Sequence, residues 1–181
     1  MMRKLGLNCR QGLWTAACIM LMGGMVSCDR QASPKETPAG NRIKAEFAIY
    51  EQNPSAIGCK ISANYPSDST DATGRVIREW INEQLGGTYT GSLNDGKQLV
   101  EYYGKEQAAR IRKDIEEFGE NSAMGQSVYY VQFKKVFETT RFVTYTEETY
   151  QYAGGAHGSE STVGQVFRKP DGRMFGWDMF T

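Results

Sequence analysis

The stretch VYYVQFKKVFETTRFVTYTEETYQY, Val128 to Tyr152, decides the fold. It is dense in Tyr, Phe, Val and Thr, the residue types that fit a pleated, half-buried surface, and its register is interrupted near Thr139-Thr140. Val128 to Glu138 and Arg141 to Tyr152 therefore read as the two strands of a long antiparallel hairpin. Its aromatics are Tyr129, Tyr130, Phe133, Phe137, Phe142, Tyr145, Tyr150 and Tyr152. A sheet covered by helices buries one face, so most of them are expected in the core. Any that alternate outward could stack on sugar rings or anchor a protein partner.

Downstream, Val163 to Arg168, the turn Lys169-Pro170-Asp171-Gly172 and Arg173 to Phe175 read as a second hairpin, with Gly172 where positive φ is needed. Upstream, two helices are expected. Val76, Ile77, Trp80, Ile81 and Leu85 recur at helical spacing before the stop Gly86-Gly87. From about Lys97 to Phe118, behind an Asn94 or Asp95 cap, Val100, Tyr103, Ala108, Ile111, Ile115 and Phe118 form one stripe. Lys105, Glu106, Arg112, Lys113, Glu116 and Glu117 lie on the other side, a solvated face with pairs at i, i+4.

Still earlier, Ile43, Ala45, Phe47 and Ile49 alternate with polar residues, as do Ile57, Cys59, Ile61, Ala63 and Tyr65, with Asn53-Pro54-Ser55 between. That is a pair of strands joined by a turn. Cys59 falls on the apolar face and reads as a buried structural thiol. Strands, two helices, then strands again give an α+β fold of antiparallel hairpins with two helices. The parts are 43–125, strand-strand-helix-helix, and 126–181, β-rich; the length suffices for one core or for two small subdomains.

Between the two expected hairpins lies Tyr152-Ala153-Gly154-Gly155-Ala156-His157-Gly158, with three glycines and the only histidine of the chain. Such a turn can present free amide N–H groups, so Tyr152, Gly154, Gly155, His157 and Gly158 are the candidate binding loop. The plainer reading is a tight connection with a histidine bonded to its own backbone. No catalytic constellation is evident: Ser159 and Ser161 lack a nucleophile-elbow pattern. One His with one buried Cys cannot supply a metal site, and no cofactor is implied. Glu116-Glu117 and Glu147-Glu148 are sequential, so their side chains diverge and make poor acid–base partners.

The chain begins with a basic segment holding Arg3, Lys4 and Arg10, then an uncharged, mostly apolar run from Leu13 to Val26. Fourteen helical residues span about 21 Å, short of the roughly 30 Å hydrocarbon core. Met25-Val26-Ser27-Cys28 resembles the lipobox of bacterial lipoproteins, which implies a signal peptide over 1–27, a lipid such as palmitate on Cys28, and a membrane held through it. Residues 28–42, with two prolines and no large apolar side chain, read as a flexible tether. Loss of 1–27 removes three basic residues and no acidic one, leaving 18 basic against 21 acidic. A mildly acidic chain lacks the basic excess of a nucleic-acid binder and suits a basic protein partner. With Cys9 and Cys18 gone and Cys28 lipidated, Cys59 is the one free thiol, so no intramolecular disulfide is expected.

The segment Tyr152 to Gly158, followed by Gly172-Arg173-Met174-Phe175-Gly176-Trp177-Asp178-Met179-Phe180, resembles an extracytoplasmic domain of unknown function. That domain carries a Tyr-x-Gly-Gly-Ala-His-Gly segment and a later Gly-Lys-x-Leu-x-Leu-x-Asp-Leu-Phe segment. It occurs in the lysozyme-sensing anti-sigma factor RsiV and beside the catalytic domain of the peptidoglycan deacetylase PdaC. Ile61-Ser62-Ala63-Asn64-Tyr65-Pro66 and the two helices are similar to its N-terminal half, so the resemblance covers roughly 43–181. It implies an α+β fold at the cell envelope, with a lysozyme-like protein or a peptidoglycan fragment as partner. Neither a sigma-binding segment nor a deacetylase domain is seen in this sequence, and similar proteins continue past the position of Thr181, which leaves open that the chain is a fragment. The leading expectation is a non-catalytic envelope binding module. The alternatives are a wall-acting enzyme with His157 as general base and a purely structural lipoprotein.

Overall fold

The computed structural model describes residues 42–53, 57–118 and 126–176. The expected signal peptide, Cys28, all of the expected tether but Arg42, most of the Asn53-Pro54-Ser55 turn and the family-like residues from Trp177 onward lie outside them.

Five strands and two helices follow in the order β1 (Ala45–Gln52), β2 (Ile57–Pro66), α1 (Ala72–Gln84), α2 (Gly96–Phe118), β3 (Ser127–Glu138), β4 (Phe142–Tyr152) and β5 (Ser159–Arg168). The strands form one sheet in the order β1-β2-β3-β4-β5. β1 with β2, β3 with β4 and β4 with β5 are antiparallel neighbours. β2 and β3 are parallel, which joins the expected antiparallel hairpins into one mixed sheet. Both helices lie between those two strands in the chain, and parallel neighbours need such a crossover. The sheet thus runs through both 43–125 and 126–181.

Both helices pack on one face. Ile61, Ala63 and Tyr65 of β2 and Val131 and Phe133 of β3 share a core with Ile77, Trp80 and Ile81 of α1 and Leu99, Val100 and Tyr103 of α2. Trp80 meets Phe133 and Phe167 edge-on at 5.6 and 5.7 Å between ring centroids, so α1 clamps the middle of the sheet to its far edge. Cys59 is wholly buried on this face, its thiol 3.6 Å from the Gly104 carbonyl, and burial pushes its pKa up to about 11.

Each helix starts on an aspartate. Asp71 accepts from the Thr73 N–H and Asp95 from the Gln98 N–H, both at 2.9 Å, satisfying amides that lack an intrahelical acceptor. α1 therefore begins four residues before the apolar stripe of Val76. It ends where Gly86 and Gly87 take positive φ. The turn after β5 also forms as expected, with Gly172 at φ 70° and Phe167 bridged to Met174.

β1 holds the main surprise of packing. Ala48 is buried against the helices, whereas Phe47 and Ile49 are 58% and 39% exposed on the opposite face. The larger apolar set of this strand points away from the core.

Candidate functional site

The Gly-rich segment is the loop that joins β4 to β5 at one end of the sheet. Its two hairpins are consecutive and share β4, so the loop closes the second hairpin rather than linking two separate ones. Gly154 and Gly155 adopt φ of 86° and 96°, a region costly for side-chain-bearing residues. The Tyr152 hydroxyl donates to the Gly155 carbonyl at 3.0 Å and folds the loop back on its own strand. His157 is exposed, and among the described residues no hydrogen bond or ion pair engages it, to its own backbone, to Ser159 or Ser161, or to a carboxylate. Gly158 brings the end of the loop against Tyr150. A Cβ there would sit 2.7 Å from the Tyr150 ring, so the absence of a side chain lets that ring lie against the strand entry.

Tyr150 leads to the uncovered face of the sheet. The pairing register sets side chains there in rows across all five strands. One row is Glu51, Lys60, Tyr130, Tyr150 and Glu160; the next is Ile49, Ser62, Gln132, Glu148 and Thr162. Phe47 opens a third row beside Asn64. Successive residues of a strand alternate faces, so these positions are the complement of the buried Cys59, Ile61, Val131 and Phe133. The rings of Tyr130 and Tyr150 lie 6.3 Å apart at 35°. With Phe47, Lys60 and the polar second row they border a concavity of about 420 Å³, within the size range of ligand sites.

The charges of this face are arranged unevenly. Lys60 pairs with Glu51 at 3.4 Å and Lys134 with Glu148 at 2.5 Å. The Glu160 carboxylate, exposed beside Tyr150, has no ion-pair or hydrogen-bond partner among the described residues. Glu147, the neighbour of Glu148, faces the helix side, where burial raises its pKa, so the two carboxylates do diverge. Among the described residues no group of three or more His, Cys, Asp or Glu side chains is placed to hold a metal ion.

Sequence reasoning found the loop and named Tyr130 and Tyr150 without a face for either. It missed Phe47, Lys60, Glu148 and Glu160 as neighbours of those rings. Their only signal is the register of four strand pairs, which no local pattern encodes.

The family model described as Deacetylase PdaC matches residues 53–160, from the end of β1 to the start of β5 with the loop included. Among solved structures, a member of the DUF3298 family from Bacteroides fragilis is similar at a TM-score of 0.57 and 20% identity, over 76% of this chain and 62% of its own. A DUF3298 family protein from Pseudomonas aeruginosa PAO1 has a TM-score of 0.41 and 13% identity, over 72% and 53%. The chain thus spans less than two thirds of the length of either, and the first likeness is one of fold. No curated protein matches.

Proposed function

The chain belongs to the PdaC family, and from that membership we propose that it is a non-catalytic binding module, held at the bacterial cell envelope by a lipid on Cys28. In this reading it receives an exported protein of lysozyme type or a cell-wall glycan on the open sheet face and the adjoining Tyr152–Gly158 loop. The observation that carries the reading is the contact of Gly158 with Tyr150. It places the end of the loop directly beside the tyrosine platform. Aromatic side chains left outside a core that already has Trp80, Phe133 and Phe167 are costly to solvate. They are also the residue types that concentrate binding energy at interfaces.

The test is calorimetry on the full-length protein in detergent micelles, with lysozyme and a soluble peptidoglycan fragment titrated separately. Saturable heat with either, weakened by Tyr130→Ala, is expected. Flat titrations of both into a folded sample reject the reading. The anchor is tested by feeding radiolabelled palmitate to expressing bacteria: label is expected on the wild type and lost in Cys28→Ala.

A further inference from the structure

We propose that Tyr130, Tyr150 and Glu160 together form a receptor for one basic side chain, a lysine ammonium or arginine guanidinium, presented by an exported protein partner. The inference rests on the binding-module reading and names what the module grips.

The argument starts from the row Glu51, Lys60, Tyr130, Tyr150, Glu160. Its left end is internally neutral, because Glu51 and Lys60 are paired at 3.4 Å. In the neighbouring row Glu148 is neutralised by Lys134. Both lysines of the concavity's surroundings are therefore engaged, and a ligand anion finds no cation waiting. Among the described residues around the two rings, Glu160 is the charge left without a partner. It directly opposes Tyr150 in the β4–β5 register.

A cation is the ligand group that uses both features. Above a tyrosine ring it is attracted by the negative face of the π system, and the carboxylate next to the ring supplies a charge-assisted hydrogen bond. A neutral sugar would stack on the rings and donate hydroxyls to Glu160, but it would leave the carboxylate charge uncompensated. Phe47 and Ile49, exposed on the same face, add aliphatic and aromatic surface; this suits the apolar flank of a protein epitope better than a saccharide edge. The chain after residue 27 has an acidic excess of three, which steers a basic protein toward it before contact.

The experiment uses the isotope-labelled full-length protein in detergent micelles and follows its amide spectrum during titration with N-acetyl-arginine amide. N-acetyl-citrulline amide serves as the isosteric neutral control, and N-acetylglucosamine trimer as the glycan probe. The expected result is saturable shifts at Tyr130, Tyr150 and Glu160 with the arginine compound, absent with citrulline, and about tenfold weaker in Glu160→Gln. Equal effects of arginine and citrulline, shifts centred elsewhere, a stronger response of these residues to the trimer, or an unchanged affinity in Glu160→Gln would each overturn the proposal. Lysozyme titration keeps the two readings apart. Lysozyme binding that survives Glu160→Gln undiminished retains the module and rejects the receptor; an arginine response without lysozyme binding retains the receptor and rejects the lysozyme-type partner.

Discussion

The Lys169 ammonium lies 2.9 Å from a Glu138 carboxylate oxygen, with the two side chains only 5% and 10% exposed. Glu138 also accepts from the Ile43 N–H at 2.6 Å and from Lys135 at 3.0 Å. One carboxylate thus ties the entry to β1, the tip of the β3–β4 hairpin and the turn after β5. Removing a single partner from a buried pair leaves an uncompensated charge and costs about 3–5 kcal/mol. Glu138→Ala is expected to lose about that much in urea unfolding, well beyond the effect of an exposed glutamate.

The same carboxylate makes stability depend on acid. Burial alone would raise the Glu138 pKa, but the Ile43 N–H, Lys169 and Lys135 outweigh it and hold the pKa below the ordinary glutamate value. A depressed folded-state pKa means the stabilisation is complete above the unfolded value and is lost as pH falls through the folded one. The urea midpoint of the wild type should therefore fall more steeply below about pH 4.5 than that of Glu138→Gln. Parallel curves would contradict this.

Cys59 should be inert in the folded chain. Its thiol is fully buried and its pKa is pushed up to about 11, so at pH 8 only about one molecule in a thousand carries a thiolate. In a chain begun at Asp29, which retains this thiol alone, a disulfide reagent should react at the rate of unfolding. Rapid stoichiometric reaction without denaturant would refute the burial.

Two loop glycines should fail in different ways. Gly155→Ala meets no atom within 4 Å, but its φ is 96°, so the expected cost is a backbone one of about 1–3 kcal/mol with the tyrosine platform intact. Gly158→Ala places a methyl against Tyr150 and should displace that ring, read as changed Tyr130 and Tyr150 aromatic resonances. His157→Ala, exposed and unengaged, should change stability by less than about 0.5 kcal/mol.

Phe167 is fully buried and edge-on to both Trp80 and Tyr145. Phe167→Ala should cost about 3–5 kcal/mol and loosen α1 from the far edge of the sheet. Hydrogen exchange should detect it first in α1 amides.

Most elements were legible in the sequence because they carry a local signature: β-branched and aromatic density for β3 and β4, a 3.6-residue stripe for α2, positive-φ glycines at Gly86, Gly87 and Gly172; β5 begins at Ser159 rather than Val163, because polar Ser159 to Thr162 are strand only through pairing with β4. The start of α1 was not, since Ala72-Thr73-Gly74-Arg75 has no apolar stripe and only the Asp71 cap marks it. The alternation of Phe47 and Ile49 identified a strand but could not say which face is inside, because period two is symmetric between faces. Packing decides that, and here Ala48 and Tyr50 go in, the Tyr50 ring lying against Gly104 of α2. The parallel β2–β3 pairing and the rows across the open face depend on contacts between distant segments. For the same reason the candidate loop could be named and its neighbour Glu160 could not be ranked.

The parallel seam has a consequence for how the chain assembles. Every other strand contact joins neighbours in the chain, which meet quickly with little loss of loop entropy. β2 and β3 meet only across both helices, so their pairing closes the longest loop of the sheet and carries its largest loop-entropy cost. The helices also brace that seam from one side, since Trp80 of α1 packs on Phe133 of β3 and Phe167 of β5.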